Sequence, residues 1–116
     1  MSIERKHVGP RMSQIVIRGD TVYLAGQVAS DKPGAPIGEQ TQNILDKIDA
    51  YLAEAGTDKS KLLTATIWIT DMAEFGGMNA VWDAWIDPAN PPARACTEAR
   101  LAAPEYTVEI MVVAAR

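Results

Sequence analysis

At 116 residues, 47% hydrophobic and 22% charged, the chain suits a single domain, residues 1–116, with a core able to stand without disulfides or metals. Its formal net charge of −4, with Lys and Arg scattered along the chain, gives no footprint for a phosphate backbone, so nucleic acid is not the expected partner. No stretch approaches the roughly 20 apolar residues of a membrane span. The start, Met1 to His7, lacks the apolar core of a secretory signal, so a cytoplasmic protein is expected.

After Gly9-Pro10, residues 13–18 and 21–29 read as strands joined by a tight Gly19-Asp20 turn, the signature of a β-hairpin. In the second strand Val22, Leu24, Gly26 and Val28 are placed on one face and Tyr23, Ala25 and Gln27 on the other. A Gly- and Pro-rich loop follows. Over 39–55 the apolar residues Ile44, Leu45, Ile48, Tyr51 and Leu52 recur at helical spacing, and Gly56 stands where a helix stops. Residues 62–70 alternate, with Ala65, Ile67 and Ile69 on one side, as a β-branched central strand does. Asp71 and Glu74 resemble a capping box for a second helix over 72–86. Its stripe of Phe75, Met78, Trp82 and Trp85 reads as core, and Gly76-Gly77 weakens its first turn. Pro88, Pro91 and Pro92 end that helix, and 94–100 and 107–115 make the last two strands.

The order is thus ββαβαββ, an α+β fold with a mixed sheet and two helices on one face. Tyr23, Ala25, Trp68, Met111 and Val113 leave the other face apolar as well, and a second copy of the chain is the simplest cover for it.

Two charged residues interrupt apolar strands. Alternation puts Arg94, Cys96 and Glu98 on one face of their strand, and sets Glu109 on the same side as Met111 and Val113. A carboxyl among apolar neighbours has its pKa raised by desolvation and can exchange protons near neutral pH, whereas a guanidinium stays charged and suits bidentate capture of a carboxylate. The pair is expected to converge from neighbouring strands at a seam between identical protomers. A plain Arg94–Glu109 salt bridge at an interface, or a Glu109 that points into solvent, is the structural alternative. Cys96, the one cysteine, rules out an intrachain disulfide and reads as a small buried hydrophobe. His7, the one histidine, reads as a solvated terminal residue, which leaves a nucleophilic triad without its base. Asn79 reads as a surface or capping amide, and Gly26 as a place of close approach or simple packing.

Taken in order, Gly9-Pro10 with Ser13-Gln14, Val22 to Gln27, Gln42-Asn43-Ile44, Asp71-Met72 with Phe75, Met78-Asn79, Pro92-Ala93-Arg94-Ala95-Cys96 and Val108-Glu109-Ile110 resemble the RidA/YjgF family of reactive-intermediate deaminases. The run from Met78 to Trp85 looks more like its YoaB-type branch than RidA itself. The resemblance implies a chorismate-mutase-like homotrimer with ligand clefts between subunits. It implies hydrolysis of 2-imino or 2-enamino acids to 2-keto acids and ammonia, with no cofactor and no metal. On it, Arg94 holds the substrate carboxylate, Glu109 with the backbone at Cys96 activates water, and Gly26 offers backbone contact, with Asn79 and Met12 at the substrate. Met12 stands where RidA proper has a tyrosine, which bears on substrate range. A trimer that binds or senses a small carboxylate without chemistry is the alternative. A ribonuclease, also attached to parts of the family, sits poorly with the acidic balance.

Overall fold

The computed structural model describes residues 2–116. The elements among them are β1 (Ile3–Val8), β2 (Ser13–Arg18), β3 (Thr21–Leu24), β4 (Gln27–Val28), α1 (Ile37–Glu54), β5 (Leu62–Ile69), α2 (Phe75–Trp85), β6 (Ala93–Glu98) and β7 (Val108–Ala115). One mixed sheet runs β1-β2-β3-β7-β5-β6, with β4 also paired to β7. Only β5 and β6 are parallel, which is why a helix must connect them: a tight turn cannot join parallel neighbours.

Both helices cover one face, as the α+β reading expects; α1 packs on β3, β4 and β7 and against α2. Ile44, Leu45, Ile48 and Leu52 of α1 meet Ile15, Val22, Ile67, Ile110 and Val112 in the core. Gly56, at φ 83°, ends α1 in the left-handed conformation that glycine adopts without a Cβ penalty. At the start of α2, Asp71 accepts the Ala73 N–H at 2.9 Å. It caps a 3-10 turn over Met72–Glu74, so the helix proper begins only at Phe75.

Three expectations are corrected. The N-terminal segment is strand β1, antiparallel to β2. It is an edge strand exposed on both faces apart from Lys6, so it carries no apolar alternation to announce it. His7 lies within it at φ 55°, with its Nε2 2.9 Å from the Glu54 carboxylate and its ring centroid 5.3 Å from that of Tyr51. It is therefore docked on α1. The continuous strand expected over 21–29 is broken at Ala25-Gly26, where the pleat slips by one residue. Leu24 and Gln27 are consequently both buried, and Gly26 and Val28 move to the face away from the helices. Gln27, turned inward, donates to Gln14 Oε1 at 2.8 Å and to the Ala25 carbonyl at 3.0 Å.

Finally, β5 lies between β6 and β7, so Arg94 and Glu109 do not stand on neighbouring strands. The parallel crossover through α2 sends β6 to the outer edge, while β7 takes the antiparallel place on the other side of β5.

Candidate functional site

Glu109 stands in β7 opposite Val28 of β4 and Trp68 of β5. The residues before and after it, Val108 and Ile110, are fully buried under the helices. Glu109 therefore emerges on the opposite face, with Met111, Val113 and Tyr23. Burial pushes its carboxyl above the ordinary glutamate range, and no charge or hydrogen bond among the described residues opposes that shift. The slip at Gly26 makes room for it. A Cβ on Gly26 would lie 2.2 Å from Glu109 Oε2, far inside contact distance, so the carboxylate occupies space that only glycine leaves free.

Arg94 belongs to the other face. Its strand neighbour is Ala65 of β5, a core residue, so Arg94, Cys96 and Glu98 look towards α2. The Arg94 guanidinium lies over Trp82 at 5.3 Å from the ring centroid and over Phe75 at 5.9 Å. Both distances fall within the range of cation–π attraction. Cys96 packs against the core; burial pushes its thiol up, and the Arg94 charge pulls less strongly the other way. A thiol held protonated is a poor nucleophile. Glu98 accepts the Met72 N–H at 2.9 Å and ties the 3-10 turn that precedes α2 to β6.

Asn79 sits on α2 four residues after Phe75 and three before Trp82, on the stripe that faces Arg94. It is half-buried, and its Oδ1 is shut from solvent with no hydrogen-bond partner among the described residues. Met12 lies in the β1–β2 turn, 49% exposed, at the sheet edge opposite β6.

The single chain thus brings Gly26 to Glu109, and groups Arg94 with Cys96 and Asn79, but it does not unite the two groups or bring Met12 to either. Arg94 and Glu109 form no ion pair with each other among the described residues. A surface cleft of about 460 Å³ lined by Thr70, Arg100, Pro104 and Tyr106 contains none of these residues. Among the described residues no cluster of His, Cys, Asp and Glu is placed to hold a metal.

Three residues outside the expected set contribute. Phe75 and Trp82 show only the apolar stripe of a core helix in sequence, yet Phe75 is 37% exposed and both carry the guanidinium. Gln40, fully buried, donates to the Ala35 and Glu105 carbonyls at 2.9 and 3.0 Å and accepts the Thr107 N–H at 3.0 Å. It pins the loop that leads into β7 and so fixes where the strand that carries Glu109 begins. A glutamine on the apolar side of α1 is the signal that marks it.

Over residues 6–116 the chain matches the family model described as Endoribonuclease L-PSP. It is 45% identical to a RutC family protein of Haemophilus ducreyi, over 97% of this chain and 96% of that protein. It is 41% identical to the RutC family protein YoaB of Escherichia coli, over 99% of each. Among solved structures it is similar to a YjgF-family protein of Neisseria meningitidis, at a TM-score of 0.96 and 43% identity, with 100% of this chain and 96% of that one covered.

Proposed function

We propose, because the chain belongs to the RidA/YjgF family beside its YoaB-type members, that it hydrolyses reactive 2-imino and 2-enamino acids to 2-keto acids and ammonia. The observation that carries this reading is the pair of half-sites. One face offers a guanidinium with no ion pair among the described residues. The other offers a desolvated carboxyl with no neighbour among the described residues to lower its pKa. Each is half of what a small imino acid needs, and opposite faces of one sheet can meet only through another copy. We therefore place the reaction between subunits of a homotrimer, with Arg94 from one copy and Glu109 from the next.

Arg94 takes the substrate carboxylate through paired N–H donors. An enamine first gains a proton at C3 and loses one from nitrogen, becoming the imine. Glu109 removes a proton from water as the water oxygen bonds to C2, and the C=N electron pair goes to nitrogen, which is protonated. The amino alcohol then gains a further proton on nitrogen; the C–N bond breaks, ammonia leaves, and loss of the hydroxyl proton forms the keto acid. A carboxyl lifted towards neutrality both takes and returns these protons. The imine carbon is already electrophilic, so orientation, one aligned water and one proton carrier suffice. The Gly26 and Cys96 backbones hold substrate and water, and Asn79 and Met12 line the pocket. No helix among the described residues is long and apolar enough to cross a membrane, and we place the protein in the cytoplasm, where pyridoxal-phosphate enzymes release such imines.

The test is ammonia release from an amino acid offered to an amino-acid oxidase or dehydratase, with and without the protein. Acceleration that Arg94→Ala removes while the assembly persists supports the reading. An equally active Arg94→Ala protein overturns it. One observation favours a second reading: the setting of Arg94 is complete without Glu109, as a sensor of small carboxylates requires. Such a trimer is stabilised by a keto acid but releases no ammonia above background.

A further inference from the structure

We infer that Phe75 and Trp82 form a two-ring cradle that aims Arg94, making them positioning residues for carboxylate recognition. This rests on the deaminase reading. The guanidinium lies 5.3 Å from the Trp82 centroid and 5.9 Å from that of Phe75. Trp82 is almost entirely buried, whereas Phe75 is 37% exposed. The inner ring is therefore fixed by the core and the outer ring stands at the rim. A cation drawn to aromatic rings is held without using its N–H donors as hydrogen-bond partners, and those donors are what a carboxylate binds in a bidentate manner. An exposed arginine without such support samples many rotamers, and ordering it on binding costs affinity. The cradle removes part of that cost in advance. A lysine ammonium at position 94 could lie over the rings but could not present a planar fork.

Phe75 is the ring to change, because its exposure lets Phe75→Leu fold where loss of Trp82 would open the core. Two readouts on the whole protein separate the possibilities: side-chain NMR of Arg94, and titration with 2-oxobutanoate beside the kinetics of imine hydrolysis. We expect Phe75→Leu to reduce the upfield ring-current shift of the Arg94 side chain. It should raise both the dissociation constant of 2-oxobutanoate and KM by about threefold to tenfold, with kcat changed far less. Phe75→Tyr should restore both readouts. If the shift relaxes but binding and KM stay at wild-type values, the rings only pack and the positioning role is overturned, while the deaminase reading stands. If Arg94 shows no ring-current shift in the wild type, the cradle itself is absent. If the wild type neither binds 2-oxobutanoate nor accelerates the reaction, the deaminase reading fails and takes this inference with it.

Discussion

Glu109 and Arg94 are prepared by opposite means. Glu109 stands on a strand in the middle of the sheet, and its environment is made by subtraction: burial removes water and Gly26 removes a Cβ. Arg94 stands on the edge strand β6, and its environment is made by addition, with two aromatic rings supplied by α2. The difference follows from the chemistry of each charge. A carboxylate gains catalytic use from being destabilised, since its pKa then approaches the working pH. A guanidinium cannot be neutralised, so what can be tuned is its direction.

That contrast predicts how the site breaks. Removing the directed charge should do most harm: Arg94→Ala is expected to lower kcat/KM by about 10³, from loss of a charge-assisted carboxylate contact. Size-exclusion chromatography should show the assembly unchanged. Removing the proton carrier comes next. Glu109→Gln keeps the shape and is expected to lower kcat by about 10²–10³, with keto-acid affinity changed much less because Arg94 still binds. Equal losses of affinity in both variants would erase the distinction between the two halves. Filling the space comes third. Gly26→Ala places a methyl where Glu109 Oε2 now lies and must push the carboxylate aside; kcat should fall by about tenfold to a hundredfold. A wild-type kcat in that variant would mean the carboxylate has another productive position.

Much of this molecule could be read from local pattern, and the exceptions share a cause. The stripe of Ile44, Leu45, Ile48 and Leu52 and the alternation of Ala65, Ile67 and Ile69 are local records of a buried face, so α1 and β5 emerge directly. The side of β7 that Glu109 occupies emerges the same way. The slip at Gly26 does not, because the group that needs the space arrives from the other end of the chain. β1 does not, because an exposed edge strand is held by backbone hydrogen bonds and needs no apolar face. The separation of Arg94 from Glu109 depends on which strand takes which place beside β5, and strand order leaves no mark on the strands themselves. The setting of Phe75 follows from that same order, since only the outward placing of β6 leaves this ring at the rim under a guanidinium.

The smallest expected effect is on stability, and it tests whether the two halves face each other across subunits. Burial holds the Glu109 carboxyl above its ordinary value of 4.5, so the folded protein keeps this proton at pH values where the unfolded chain has released it. Its contribution is therefore fully present below about pH 4.5 and is lost as pH rises through the folded value. The thermal midpoint of the wild type should accordingly fall relative to that of Glu109→Gln as pH rises towards neutrality, by a few degrees at most, and the two should converge in acid. On the proposed shared site Arg94 acts on Glu109 through the neighbouring copy alone, because within one chain it lies on the opposite face. A guanidinium brought near Glu109 by assembly opposes the desolvation and narrows the window of decline. Arg94→Ala should then widen that window towards higher pH in calorimetric melts of the assembled protein. A decline identical to that of the wild type would show that the two charges never approach one another, and the shared site would have to be abandoned.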